Sequence, residues 1–298
     1  VLASAAVGVG CGLGGPGDKD EPDAQVWYDA ADVDAAPESD ATLDAEPEID
    51  ATVSEVQTID ATELREQEIP YIMGQTYVDL REAVDYNEGH IPRATNIPTD
   101  TLWDGSALVD GGDALETAAP VQDLPLFLYG WSAAQPTTEA IADAAVDLGY
   151  SDVYVLTGGI EAWRAAHFYE DINTQGILAH HYNPIPQNHF IVDTMDATSY
   201  AEGHITGALN IDTSLFFHDG QLIDNGQALL DQVAGAATAI VFYCINEGCS
   251  ASEEACEAAE LIEAYAETRI FHYPGGFERW ENTANPVSCG TDPEGACP

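Results

Sequence analysis

A chain of 298 residues with 45% apolar and 9% aromatic residues has enough apolar material for one large or two ordinary domains, which excludes wholesale disorder. Seven basic residues against 53 acidic ones give a formal charge of -46, and Lys19 is the single lysine. Such a chain lacks the cationic surface needed to neutralise phosphates or anionic headgroups, so a nucleic-acid binder and a polybasic membrane patch are both excluded.

Val1 to Gly15 (VLASAAVGVGCGLGG) is small and apolar and then turns abruptly acidic. This pattern predicts the remnant of a secretory signal over residues 1–17, with Cys11 placed where a bacterial lipoprotein is lipidated. A plain cleaved signal and an incidental small-residue tail are the alternatives. No run of about 18 apolar residues follows, so the only expected membrane contact is a lipid anchor at Cys11. The expected location is extracytoplasmic, in the cell envelope or secreted. Residues 18–57 are built of Asp-Ala and Glu-Pro units whose like charges repel, which predicts a disordered acidic linker. Only 15 of the 53 acids fall between Asp18 and Asp60, so the folded part is strongly acidic too, as suits solubility in a salty medium. No calcium-loop ligand pattern occurs.

Beyond residue 60 the chain repeats itself with an offset of 114 residues. Val78 to Pro98 reads VDLREAVDYNEGHIPRATNIP and Val192 to Asp212 reads VDTMDATSYAEGHITGALNID, identical at 11 of 21 positions. Each copy continues with a short apolar strand (Leu126 to Tyr129; Ile240 to Tyr243), a loop and an Ala-rich helix. Another strand follows (Val153 to Leu156; Arg269 to Tyr273), then Gly158-Gly159 with Trp163, or Gly275-Gly276 with Trp280. Short apolar strands alternating with helical stretches predict α/β domains with parallel sheets, whose ligands bind beyond the carboxyl ends of the strands. The segments after Tyr129 and Tyr243 are those places.

The order Val-Asp-x-Arg, Gly-His-Ile-x-x-Ala-x-Asn-Ile, a strand ending in Tyr-Cys, then Gly-Gly-x-x-x-Trp resembles the rhodanese (sulfurtransferase) family. The resemblance covers roughly residues 60 to 287. It implies two tandem rhodanese-like domains, each a parallel sheet flanked by helices, over 58–172 and 173–287, with a C-terminal tail at 288–298. It also implies a persulfide-forming nucleophile at Cys244, carried by the loop Ile245, Asn246, Glu247, Gly248, Cys249 and Ser250. The first copy has Gly130 where the cysteine belongs and Ser132 with no evident base, so domain 1 is expected to be catalytically silent. Inward-pointing loop amides and the following helix N-terminus would stabilise a Cys244 thiolate. The partners implied are a small sulfur donor and a thiol or cyanide acceptor, and the chemistry requires no cofactor.

Two departures bear on the donor. In two-domain members the arginine of Val-Asp-x-Arg helps to hold the anionic donor; Arg81 stands there in the first copy and Met195 in the second. The loop also carries Glu247, which repels thiosulfate and raises the thiol pKa. Arg279, beside Trp280, is the nearest replacement cation. Cys249 completes a Cys-x4-Cys pair, similar to a rhodanese subgroup with a second loop cysteine. It is read either as a resolving thiol that closes a disulfide or as a packed small residue. No metal site is expected, since structural zinc usually uses two closely spaced ligand pairs. Ser250 replaces the arginine that follows the loop in phosphatases of related fold, which argues against phosphate chemistry.

Cys256 is read as a buried helical residue, and Cys289 with Cys297 as a disulfide closing a turn-rich loop. His90 and His204 occur in both copies, so a structural hydrogen bond is expected of them. Asp79 and Asp193 are read as fold-supporting, and Trp163 and Trp280 as core anchors. The rival functions are a non-catalytic binding module and a thiol-disulfide redox protein using Cys244 and Cys249.

Overall fold

The computed structural model describes residues 55–68, 74–132, 136–182, 184–233 and 237–297. The expected signal remnant, Cys11 and the acidic linker up to residue 54 lie outside the described residues. In the first repeat, β1 (Gln57–Ile59), β2 (Thr76–Asp79), β3 (Thr95–Asn96), β4 (Leu126–Tyr129) and β5 (Val153–Leu156) form a parallel sheet in the order β1-β5-β4-β2-β3. The second repeat builds the same order from β6 (Glu170–Asp171), β7 (His189–Asp193), β9 (Leu209–Asn210), β12 (Ala239–Tyr243) and β13 (Arg269–Tyr273), as β6-β13-β12-β7-β9. Short pairs complete it: β8 (His204–Ile205) runs antiparallel to β14 (Val287–Ser288), and β10 (Phe217–His218) to β11 (Gln221–Leu222).

The central strands are covered on both faces and therefore read as unbroken apolar runs rather than alternating ones. Every residue of Leu126–Tyr129 and of Ala239–Tyr243 is buried. The covering helices show the matching period. Thr138, Ile141, Ala142 and Ala145 are buried in Pro136–Leu148, whose proline occupies the first helical position, where a missing N–H costs nothing. Ser252, Ala255, Cys256, Ala258 and Ala259 are buried in Ala251–Glu260, so Cys256 packs as expected. Trp163 and Trp280 are fully buried and donate their indole N–H to Tyr169 O and Pro286 O, each at 2.9 Å.

Next to the expected boundary at 172/173, Glu170 and Asp171 form β6 and pair with Phe271 and His272 of β13, while Asp171 also bridges His90 of the first repeat. A two-residue strand of acids has no periodicity from which its partner can be read. The C-terminal segment belongs to the second repeat as well: Gly290 N donates to Ala201 O, Gly207 N donates to Pro293 O, and Cys289–Cys297 is a disulfide.

Both sheets lie in one compact unit. Scarce cations join the repeats: Arg65 pairs with Glu260 at 3.2 Å and Arg93 with Glu253 at 2.6 Å. Glu170 is gripped by Arg164 at 2.7 Å and Arg269 at 2.8 Å. Burial alone would raise the Glu170 carboxyl, but Arg269 and Arg164 hold it below the usual carboxylate range. Asp171 accepts from Arg93 N at 2.9 Å and bonds His272 Nδ1 at 2.7 Å.

Candidate active site

Cys244 follows the last residue of β12 and is 3% exposed. The loop then runs through Ile245, Asn246, Glu247, Gly248 and Cys249 to Ser250, and the helix Ala251–Glu260 starts at once. The Gly-Gly helix Gly276–Asn282 holds the base of this loop. Phe277 N donates to Cys244 O and Glu278 N to Ile245 O, both at 2.9 Å. The first repeat has the same clasp, Ile160 N to Gly130 O at 3.0 Å and Glu161 N to Trp131 O at 3.1 Å. The base of its loop is thus held in the same way, at a residue with no side chain.

The second glycine of each pair is dictated by this approach. Gly276 has φ +60, and a Cβ there would stand 2.7 Å from Cys244 O and 2.8 Å from Asn246 N; at Gly159, φ +56, it would meet Gly130 O at 2.5 Å. Gly276→Ala is expected to destabilise the protein by roughly 1–2 kcal/mol for the left-handed backbone alone, with a further loss from the displaced loop. Gly159→Ala should cost as much stability while leaving any chemistry at Cys244 intact, which paired denaturation and loading assays will check.

Cys244 and Cys249 are joined by a disulfide, with their Cα atoms 6.1 Å apart. Asn246 organises the loop between them: its carbonyl accepts from Cys249 N at 3.1 Å and its Oδ1 from Gly248 N at 3.0 Å. Two of the loop amides are therefore engaged by Asn246 in this closed form. Ser250 Oγ bonds Glu254 Oε1 at 2.9 Å, and Glu253 and Glu254 fill the first turn of the following helix, where their charge opposes the field of the helix N-terminus.

A cavity of about 460 Å³ lies between the loop and the Gly-Gly helix, lined by Asn246, Glu247, Gly248, Gly275, Glu278, Arg279, Asn282 and Thr283. Arg279, the cation singled out in the sequence, lines this cavity with Glu247 and Glu278. Of the six arginines, five pair with carboxylates and Arg279 alone forms no ion pair among the described residues. Its stem crosses Gly275, where a Cβ would stand 2.5 Å from Arg279 Cδ. Glu278, Asn282 and Thr283 escaped the sequence reading. The signal available was helical spacing, since Gly275, Glu278, Arg279 and Asn282 recur at i, i+3, i+4 and i+7.

A second cavity, of about 360 Å³, has Glu247, Glu253, His272 and Pro274 from the second repeat and Tyr86, His90 and Arg93 from the first on its walls. The loop therefore borders a groove to which the first repeat contributes.

Arg81 occupies in the first repeat the position that Met195 takes in the second. Arg81 is buried, donates to both Asp79 oxygens, the shortest contact being 2.6 Å, and gives a further bond to Gly89 O at 2.7 Å. These bonds anchor its own loop, while its Nη1 is buried without a hydrogen-bond partner and the residue lines a cavity of about 310 Å³ with Trp131 and Thr99. Met195 removes that anchor from the second repeat and strands the counterpart acid. Asp193 Oδ1 accepts from Met195 N at 2.9 Å, but Oδ2 is buried without a hydrogen-bond partner. Burial pushes the Asp193 carboxyl up to about 7, against the pull of the Met195 amide.

The histidines sit as expected: His90 Nδ1 bonds Tyr86 O and His204 Nδ1 bonds Tyr200 O, each at 2.9 Å, with each ring stacked on that tyrosine. The strand-end tyrosines are also shared, Tyr129 Oη accepting from Ile91 N and Tyr243 Oη from Ile205 N.

Comparison with known proteins agrees with this construction. The family model for the rhodanese-like domain matches twice, at residues 64–166 and 178–283. Thiosulfate sulfurtransferase GlpE of Pseudomonas savastanoi pv. phaseolicola is 31% identical over 113 residues, covering 38% of this chain and 87% of that protein. GlpE of Coxiella burnetii is 27% identical over 95 residues, covering 32% and 77%. Among solved structures, the 3-mercaptopyruvate sulfotransferase SseA of Escherichia coli matches 73% of this chain and 98% of its own, at 19% identity and a TM-score of 0.35. With the family model matched in both repeats, the chain belongs to the rhodanese-like domain family and carries that domain in tandem.

Proposed function

We propose that the second repeat is a sulfurtransferase working through a persulfide on Cys244. One observation carries this reading. The cysteine follows the central strand in a loop clasped by the Gly-Gly helix, and Asn246, Glu247 and Gly248 of that loop line a cavity that also holds the one arginine without an ion pair among the described residues. The disulfide to Cys249 is the resting form, and a thiol reductant opens it by exchange. The freed Cys244 thiolate attacks the sulfane sulfur of a small donor, and the persulfide passes that sulfur to a thiol or cyanide. Arg279 supplies the anion contact. The first repeat shapes the groove beside the loop. An extracytoplasmic location with a lipid anchor at Cys11 completes the reading, and the Cys289–Cys297 disulfide supports it, since such bonds persist in oxidising compartments.

Intact-protein mass spectrometry tests the proposal. After reduction, exposure to persulfide donors, thiosulfate or 3-mercaptopyruvate should add about 32 Da per sulfur atom. The bonded Cys244–Cys249 pair favours a second reading, a thiol-disulfide redox protein. That protein would cycle by about 2 Da and take up no sulfur.

A further inference from the structure

Thiosulfate is a poor match to the cavity that the Cys244 loop shares with the Gly-Gly helix. Its walls carry two carboxylates, Glu247 and Glu278, and one guanidinium, Arg279, within a chain of formal charge -46. A dianion enters against that field and finds a single cation between two like charges. At about 460 Å³ the space also falls among pockets that hold small organic molecules, roughly 300–1,000 Å³, and exceeds what a small oxyanion fills.

We propose that this cavity takes its donor as an α-amino-acid persulfide, the carboxylate pairing with Arg279 and the ammonium held by Glu247 and Glu278. The assignment rests on the persulfide reading of Cys244. A zwitterion carries no net charge into the acidic surroundings, so it avoids the repulsion a dianion meets and satisfies both signs of charge on the walls. Arg279 is available for it, whereas Arg65, Arg81, Arg93, Arg164 and Arg269 are all committed to carboxylates. Its base is also fixed: Arg279 N donates to Gly275 O, and the stem lies over that glycine. Asn246 and Glu247 place the same cavity wall on the loop that carries the nucleophile, and the clasp from Phe277 and Glu278 ties the opposite wall to the backbone of Cys244 and Ile245.

The transfer balances without a further reactant once a thiol has reduced Cys244–Cys249. The Cys244 thiolate attacks the outer sulfur of R–S–SH, the donor S–S bond breaks, and R–S⁻ departs with the bonding pair. Cys244 retains the outer sulfur and its hydrogen as Cys244–S–SH.

The test is the rate at which about 32 Da is added to the reduced protein by four donors. These are cysteine persulfide, 3-mercaptopropionate persulfide (no ammonium), cysteamine persulfide (no carboxylate) and thiosulfate. A charged hydrogen bond to each group predicts about tenfold slower loading for each truncated donor than for cysteine persulfide. Arg279→Ala should erase the preference for the carboxylate and Glu278→Gln should reduce that for the ammonium; both residues are exposed, so the fold survives. Equal rates with the truncated donors, faster loading by thiosulfate, or an unchanged ranking in Arg279→Ala would each overturn the donor assignment while Cys244 still loads. No loading by any donor would instead defeat the persulfide reading beneath it.

Discussion

Cys244→Ser is expected to lose sulfur loading by a factor on the order of 10³ or more, because the hydroxyl that replaces the thiol neither ionises at neutral pH nor holds a sulfane sulfur. The remaining sulfurs offer no substitute by the same route. Cys256 is fully buried, and burial together with Glu260 pushes its thiol well above the usual range, while Cys289 and Cys297 are bonded to each other. Cys249 is the informative residue, since Cys244→Ser leaves it as a free thiol in the same loop. Sulfur appearing on Cys249 in that variant would sink the assignment of the nucleophile. Cys249→Ser should load at the parental rate and, having no partner for Cys244, should need no reductant beforehand. Loss of loading in Cys249→Ser with Cys244 intact would move the chemistry to the pair.

Met195→Arg is expected to stabilise the protein, and to do so only towards neutral and alkaline pH. Asp193 in the folded protein titrates at about 7, against an ordinary value of 3.8, so folding prefers its protonated form. The favourable state is fully present below pH 4 and is lost as the pH rises through 7, a cost of roughly 4 kcal/mol by then. An arginine at 195 would meet Asp193 as Arg81 meets Asp79, donating to both oxygens and giving Oδ2 the partner it lacks. The gain over wild type should be near zero at pH 4 and about 1–3 kcal/mol at pH 8 by chemical denaturation, the desolvation of the new guanidinium absorbing part of it. A gain of equal size at both pH values would show that the acid is not its source. Asp193→Asn should remove the same pH dependence without introducing a cation.

The parts of this protein that are written locally were legible before any coordinates. An apolar run of four or five residues bounded by turns can only be a buried strand in a repeated α/β pattern, so β4, β5 and β13 fell where expected and β12 began one residue earlier, at Ala239. The Gly-Gly pair and the cysteine after Tyr243 were legible for the same reason: a positive-φ glycine and a strand-end residue are fixed by their own neighbours in the chain. Two copies of the pattern then made the missing cysteine at Gly130 as readable as the present one at Cys244.

What the sequence left open is where each charge finds its partner. Arg65 and Glu260 are 195 residues apart and Arg93 and Glu253 are 160 apart, and neither pairing has a periodicity or spacing that announces it. Only the tertiary structure shows that five of the six arginines pair with carboxylates and that Arg279 forms no ion pair among the described residues. The same holds for β6, two acids that become a strand because β13 offers them an edge. Backbone conformation and burial period depend on residues a few positions away and are set by the sequence itself. Ion pairs and ligand cavities depend on groups brought together from distant parts of the chain, and for this protein the tertiary structure alone decided them.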